Sequence, residues 1–131
     1  MWGSLQKVFN LGHIALKLRS LKHNLIASNI ANVDTPGYRR QDIPFEKVMQ
    51  SYLTQEKMLT TTHPKHRPFR TRDLRELLST YQPKDLGTPN NVSVEEEMTA
   101  MVENQLLYEA TVQALVKELE RLKEIISEGG K

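Results

Sequence analysis

The most constraining feature of this sequence is an apolar repeat in its last third. Its members alternate steps of three and four residues over four heptads, and Gln105 is the one polar member. The repeat consists of Met98, Met101, Gln105, Tyr108, Val112, Leu115, Leu119, Leu122 and Ile126. Such spacing places every member on one side of a long α-helix and is typical of a coiled coil. Ser93 and Glu96 form a capping box that predicts where this helix begins, and Gly129-Gly130 predicts its end.

A second helix is predicted at the start of the chain, from about Ser4 to Val33. No proline interrupts it, and its apolar residues repeat the same steps of three and four. These residues are Leu11, Ile14, Leu18, Leu21 and Leu25. Gly12 lies within the repeat and is expected to fray or kink the helix, since glycine costs about 1 kcal/mol relative to alanine in a helix interior.

A tight turn is predicted to end this first helix by about Asp34. Pro36 disfavours the helical conformation at Thr35, and Pro36-Gly37 suits the two central positions of a type II turn, with positive φ at Gly37. The side chains of Asn29 and Asn32 are expected to bond backbone groups that the helix end leaves unpaired. Tyr38 follows the turn as an aromatic anchor.

The lengths of the two helices decide the predicted architecture. At 1.5 Å per residue they would span roughly 45 and 50 Å, whereas a compact domain of 131 residues has a radius of gyration of about 14 Å. We therefore expect a mainly all-α fold, an elongated antiparallel helical hairpin or coiled coil with a largely irregular middle segment. Its parts are residues 1–35, 36–91 and 92–131, together one structural unit. One partner helix covers only part of each apolar stripe, so the chain is expected to need neighbours.

The middle segment is less regular in pattern. Residues 39–45 are predicted to be extended, because Ile43 precedes Pro44. Residues 45–53 have the spacing of a short amphipathic helix that could continue toward Leu59. Residues 60–91 contain four prolines and are predicted to be loop or a weak hairpin, with one or two helical turns near residues 71–78.

Charge is distributed unevenly along the chain. Residues 1–33 contain four cations and no acidic residue, whereas residues 94–131 contain nine glutamates and four cations. Opposite fields favour pairing of these two segments, either within one subunit or between neighbours.

No pattern in the sequence indicates an enzyme. There is no cysteine, and no nucleophile elbow, phosphate-binding loop or dinucleotide fingerprint occurs. His63 and His66 are the nearest approach to a metal site, but they lack further ligands and have cationic neighbours. We therefore expect no catalytic residue, no cofactor and no metal.

Neither nucleic acid nor a membrane is predicted as a partner. A basic run, with Lys65, Arg67, Arg70, Arg72 and Arg75, could contact phosphates. A basic-zipper interpretation fails, however, because glutamates 95–97 precede the coiled-coil repeat where cations are required. No apolar run approaches the length of a membrane span, and the N-terminus lacks the pattern of a signal peptide.

Two blocks of the sequence resemble a known family. Residues 29–40, Asn-Ile-Ala-Asn-Val-Asp-Thr-Pro-Gly-Tyr-Arg-Arg, resemble the signature of bacterial flagellar rod, hook and hook-associated proteins. Residues 92–98 and Glu103, Asn104, Gln105 and Tyr108 resemble the C-terminal helix of the smallest flagellar basal-body rod proteins. The short run at residues 61–66 is also similar to that family.

The resemblance implies a structural subunit of the proximal rod that assembles through its terminal helices and transmits torque for motility. It implies an assembly motif formed by Asn29, Asn32, Thr35, Pro36, Gly37 and Tyr38. The implied partners are other rod proteins, inner-membrane ring components, copies of the chain itself and the flagellar export apparatus. The implied location is the basal body, reached without a cleaved signal peptide. Two alternatives remain: the other short rod protein, which usually has a longer middle segment, and a cytosolic coiled-coil adaptor.

Overall fold

The structure, a computed structural model, describes residues 2–57 and 84–129. Three helices and two short strands lie in these ranges. They are α1 (Trp2–Ala31), β1 (Arg40–Asp42), α2 (Phe45–Lys57), β2 (Lys84–Leu86) and α3 (Val94–Gly129). The predicted mainly all-α fold with long terminal helices is confirmed. Within the described ranges, no helix is long and apolar enough to cross a membrane.

Helices α1 and α3 pack side by side and run in opposite directions. Residues near the end of α1 meet residues near the start of α3, as the bond between Asn29 and Glu97 shows. Gly12, near the start of α1, meets Leu115 far along α3. With 36 residues, α3 is about 54 Å long, so the hairpin is elongated as predicted.

The start of α3 is capped as the sequence predicts. The backbone N–H of Glu96 donates to the Ser93 hydroxyl at 3.4 Å, and the N–H of Glu97 donates to the Ser93 carbonyl at 3.0 Å. Three glutamates occupy the first turn, where their charge favours the helix dipole. The helix therefore begins at Val94, directly after its cap.

Helix α2 covers the apolar repeat of α1. Ile14 packs with Tyr52 of α2, and Leu18 and Leu25 form a buried cluster with Val48 and with Ile43, which lies just before α2. Leu11 and Leu21 pack at the margins of these clusters. The first apolar repeat thus forms most of the buried core with α2, a partner that its periodicity did not identify.

Gly12 is a close-approach position, which corrects the expectation of a frayed or kinked helix there. It is buried inside the continuous helix α1. A Cβ atom on Gly12 would lie 2.6 Å from Cδ2 of Leu115, so a larger residue would force that leucine side chain to move. Gly12 has low helix propensity, but it lets α3 approach α1 closely.

The two strands form an antiparallel ribbon at the end of the hairpin. Gln41 pairs with Asp85 at its centre, flanked by the pairs Arg40–Leu86 and Asp42–Lys84. The predicted extended segment at residues 39–45 contains β1, whereas its pairing with β2 was not predicted. The expected helical turns near residues 71–78, the two loop histidines and the basic run lie outside the described residues.

Candidate functional site

The turn after α1 has the predicted geometry. The N–H of Tyr38 donates to the carbonyl of Thr35 at 3.2 Å, and Gly37 has a φ of 78°. Both features match a type II turn with Pro36 and Gly37 at its centre. Pro36 and Gly37 are exposed, and a Cβ on Gly37 would meet nothing within 4 Å. The need for glycine here is therefore conformational and not steric.

Asn29, in the last turn of α1, is completely buried and makes four hydrogen bonds. Its Nδ2 donates to the Gln41 carbonyl at 2.9 Å and to Glu97 Oε2 at 3.0 Å. Its Oδ1 accepts from the Gln41 N–H at 2.9 Å and from the Tyr38 hydroxyl at 3.0 Å. The Asn29 amide bonds both the N–H and the carbonyl of Gln41 in β1, as the backbone of a neighbouring strand would.

Glu97 places a negative charge beside the buried side chain of Asn29. Its side chain is 1% exposed, and it accepts hydrogen bonds from Asn29 and from Nε of Arg40. A buried carboxylate is costly unless it is paired and hydrogen-bonded, and here it is both. The hydrogen bond to Glu97 raises the pKa of Arg40 above its usual value, so this guanidinium remains charged. Glu97 and Arg40 therefore form a fixed ion pair between α3 and β1.

The loop before α3 contacts the turn after α1 and the start of β1. Asn90 accepts a hydrogen bond from the Gly37 N–H at 3.0 Å and donates its own N–H to the Tyr38 carbonyl at 2.7 Å. Asn91 accepts from the Arg40 N–H at 3.0 Å. Asn90 has a φ of 59°, a conformation that asparagine adopts more readily than most residues. These contacts clasp the turn after α1 against the entry to α3.

We call Asn29, Tyr38, Arg40, Gln41 and Glu97 the polar junction. In the described part of the chain, every buried side-chain nitrogen or oxygen has a hydrogen-bond partner. A fully satisfied polar network has one geometry, because any displacement leaves a buried group unpaired. The polar junction therefore fixes how the turn, the ribbon and the two long helices meet.

A second polar contact lies further along the helix pair. Asn104, 4% exposed, donates from Nδ2 to the backbone carbonyl of Arg19 at 2.9 Å. Its Oδ1 accepts from the Arg19 guanidinium at 3.3 Å, and that guanidinium lies 3.9 Å from the centre of the Phe45 ring. Burial lowers the pKa of Arg19, while Glu46 and Glu103 act in the opposite direction. With the junction, this contact sets the register of α3 on α1.

Comparison with known proteins identifies the family. The family model described as flagella basal body rod protein matches residues 10–39, which cover most of α1 and the turn. The chain is 33% identical to the flagellar basal body rod protein FlgB of Aeromonas hydrophila, over 84% of this chain and 85% of that protein. This chain belongs to the FlgB family of flagellar basal body rod proteins.

Other relatives agree over most of their length. FlgB of Escherichia coli strain K12 is 32% identical over 88% of this chain and 89% of that protein. FlgB of Bacillus subtilis strain 168 is 28% identical over 98% of this chain and 96% of that protein. A member of the FlgB family is a structural subunit of the flagellar basal body rod, so the prediction of a structural rod protein is confirmed.

The structure separates the predicted assembly motif into two groups. Asn29 and Tyr38 point inward to the polar junction. Asn32 stays local: it donates to the Ser28 carbonyl at 2.8 Å, as predicted for a helix end, and accepts from the Thr35 hydroxyl at 3.2 Å. Thr35, Pro36 and Gly37 are exposed. The predicted assembly motif thus combines a structural clasp with an outward-facing turn.

The predicted repeat on α3 is only partly buried. Met101, Tyr108, Val112, Leu115 and Leu122 are half-buried. Met98, Leu119 and Ile126 are 58%, 53% and 69% exposed. Helix α1 therefore leaves part of this repeat uncovered, and α3 meets α1 through Glu97 and Asn104 as well as through apolar residues.

Sequence reasoning missed the partners of the motif. Arg40, Gln41 and Glu97 complete the junction, and the sequence indicated no such role for any of them. The one distinguishing signal of Glu97 was its position: it follows the Ser93 cap by four residues, at the helix turn where a side chain reaches back toward the preceding loop.

Proposed function

We propose that this chain is a subunit of the proximal rod that assembles through its two long helices and transmits torque. The observation that carries this proposal is the exposure of apolar side chains along α3 although the helix is already paired with α1. The exposed set, each more than half accessible, is Met98, Val102, Leu106, Leu119 and Ile126. Burying one such side chain contributes about 1.5–3 kcal/mol, so neighbouring subunits would gain by covering them.

The shape of the chain supports a mechanical role. Two antiparallel helices, the longer about 54 Å, are joined at one end by hydrogen bonds and an ion pair. Such a network resists relative displacement of the helices, because movement would leave the buried Glu97 carboxylate unpaired. A subunit of this kind passes force to its neighbours with little internal deformation. The role requires no catalytic residue, cofactor or metal ion.

Location and partners follow from the family. We infer that the neighbours are other rod proteins, components of the inner-membrane ring and further copies of this chain. We also infer that the flagellar export apparatus delivers the chain across the inner membrane without cleavage of a signal peptide. The half-exposed turn and the exposed side of α3 are the surfaces available for these contacts.

Electron cryomicroscopy of purified basal bodies tests the proposal. A strain that lacks this chain would be complemented with a version carrying a small tag after Gly129. We expect restored swimming and tag density in the rod close to the inner-membrane ring. Basal bodies that are complete without the chain, or tag density outside the rod, would contradict the proposal.

A further inference from the structure

Helix α3 presents an apolar row on the side away from the residues that face α1. Val94, Met98, Val102 and Leu106 follow each other at intervals of four residues, which aligns them on one strip of the helix. Their exposed fractions are 37%, 58%, 61% and 62%. Met98, Val102 and Leu106 line a shallow groove together with Thr99 and Glu103. We call these four apolar residues the outer row.

The charges that α3 itself carries beside the outer row all have one sign. Between Val94 and Val116 the chain has five glutamates and no lysine, arginine or histidine. Glu97 is held inside by Arg40, whereas Glu95, Glu103 and Glu109 are exposed. Glu109 accepts a hydrogen bond from the neutral amide of Gln105 at 2.9 Å, a contact that does not neutralise its charge. A partner for the outer row must therefore combine apolar side chains with positive charge.

The chain itself carries that combination elsewhere in its sequence. Residues 94–131 have a net charge of −5, and the total of +2 leaves +7 on residues 1–93. The densest cations are in the basic run, defined here as residues 65–78. It contains Lys65, Arg67, Arg70, Arg72 and Arg75 interspersed with Phe69, Leu74, Leu77 and Leu78. The basic run lies outside the described residues and is characterised by its sequence alone.

We propose that the outer row of one copy binds the basic run of a second copy of this chain. The inference rests on the rod-subunit function and names the partner of the exposed side of α3. One such contact leaves a basic run on one copy and an outer row on the other uncovered, and head-to-tail repetition of the contact generates a ring or a helical filament. Because the charges are exposed, screening by salt weakens the contact.

Charge reversal in the full-length chain tests the proposal, with self-association measured by sedimentation equilibrium at low salt. Glu103→Lys with Glu109→Lys reverses the flank of the outer row, and Arg70→Glu with Arg72→Glu reverses the basic run. We expect each pair to weaken self-association by about tenfold or more, as charged interface pairs typically do. A chain with all four substitutions regains opposite charges and should associate within about threefold of the unsubstituted chain.

A matched control uses the same helix. Glu120→Lys with Glu124→Lys makes the same charge change at exposed positions of α3 beyond the outer row. It should alter self-association less than about threefold, since those positions lie beyond the groove that Met98, Val102 and Leu106 line. Circular dichroism of every variant measures helicity. A folding defect caused by the glutamate substitutions would not be reversed by changing the basic run. Recovery of self-association in the fourfold variant would therefore show that the two surfaces contact each other.

Three results would overturn the proposal. They are unchanged association in either reversed pair, failure of the fourfold variant to recover, and an unsubstituted chain that stays monomeric at about 100 µM, far above a specific contact's usual range. A monomeric chain that still enters basal bodies would point to a different rod protein on the outer row and leave the rod function standing. A chain absent from basal bodies would instead contradict the rod function itself.

Discussion

At Asn29, one side-chain amide joins three parts of the chain that lie far apart in sequence. It contacts β1, twelve residues on, and Glu97 of α3, sixty-eight residues on, and uses every hydrogen-bonding position it has. The type II turn could be predicted from the sequence, because Pro36-Gly37 acts locally on φ. The partners of Asn29 could not, because nothing near Glu97 or Gln41 marks them as its neighbours.

Replacing Asn29 should therefore cost far more than replacing a neighbouring asparagine. Asn29→Ala removes four hydrogen bonds of a buried amide, one of them to the Glu97 carboxylate and two to the backbone of Gln41, which should lower the free energy of unfolding by about 2–4 kcal/mol. Asn32→Ala removes two local bonds at a partly exposed helix end and should cost about 1 kcal/mol or less. Urea unfolding followed by circular dichroism measures both. Equal losses would show that the junction adds little.

The turn supplies the second prediction at this scale. Gly37→Val should strain the backbone at a φ of 78° by roughly 1–3 kcal/mol and misplace Tyr38. Gly37→Asn is the matched control, since asparagine tolerates this conformation and the open space beside Gly37 accepts a side chain. Swimming in soft agar should be lost in the valine strain and largely kept in the asparagine strain. Normal swimming with valine would contradict a positive-φ requirement.

At the scale of elements, the apolar periodicity predicted which side of each helix is apolar better than it predicted which element packs against that side. The bounds of α1 and α3 agree with the sequence within a few residues, because caps, glycines and prolines act locally. The predicted hairpin paired the two long helices, yet the buried residues of the α1 repeat pack on α2 and Ile43. Periodicity states which side of a helix is apolar, whereas the choice of partner depends on contacts made after the chain turns. The pairing of β1 with β2 escaped prediction for the same reason.

The contact between Gly12 and Leu115 gives a test at this scale. Gly12→Ala alone should destabilise the chain by about 1 kcal/mol or more, because its methyl group overlaps the leucine side chain. On a Leu115→Ala background the same change should be stabilising by about 0.5–1 kcal/mol, since only helix propensity remains. Thermal unfolding of the four chains in this double-mutant cycle measures the reversal. Two equal effects would mean that the helices do not touch at Gly12.

At the scale of the whole molecule, opposite charge at the two ends of the sequence predicted pairing of α1 with α3. The helices do pair, but the charges that join α3 to the rest of the chain within the described ranges centre on Arg40 and Glu97. Lys22 of α1 forms an ion pair with Asp42, the last residue of β1. Much of the acidic surface of α3 is therefore left for neighbours, as are its exposed apolar side chains. A chain that satisfies its buried polar groups but leaves apolar groups exposed is suited to assembly.

Basal-body formation by a strain carrying Leu119→Asp tests this account most directly. Leu119 is 53% exposed, so the substitution should leave the helicity and stability of the isolated chain nearly unchanged. In the rod every copy would place a carboxylate in an apolar contact, and the desolvation cost would recur at each one. Gln113→Asp, at an exposed polar position of the same helix, is the control. We predict that the Leu119→Asp strain forms no complete rods and does not swim, while the Gln113→Asp strain does both; complete rods in the Leu119→Asp strain would contradict assembly through α3.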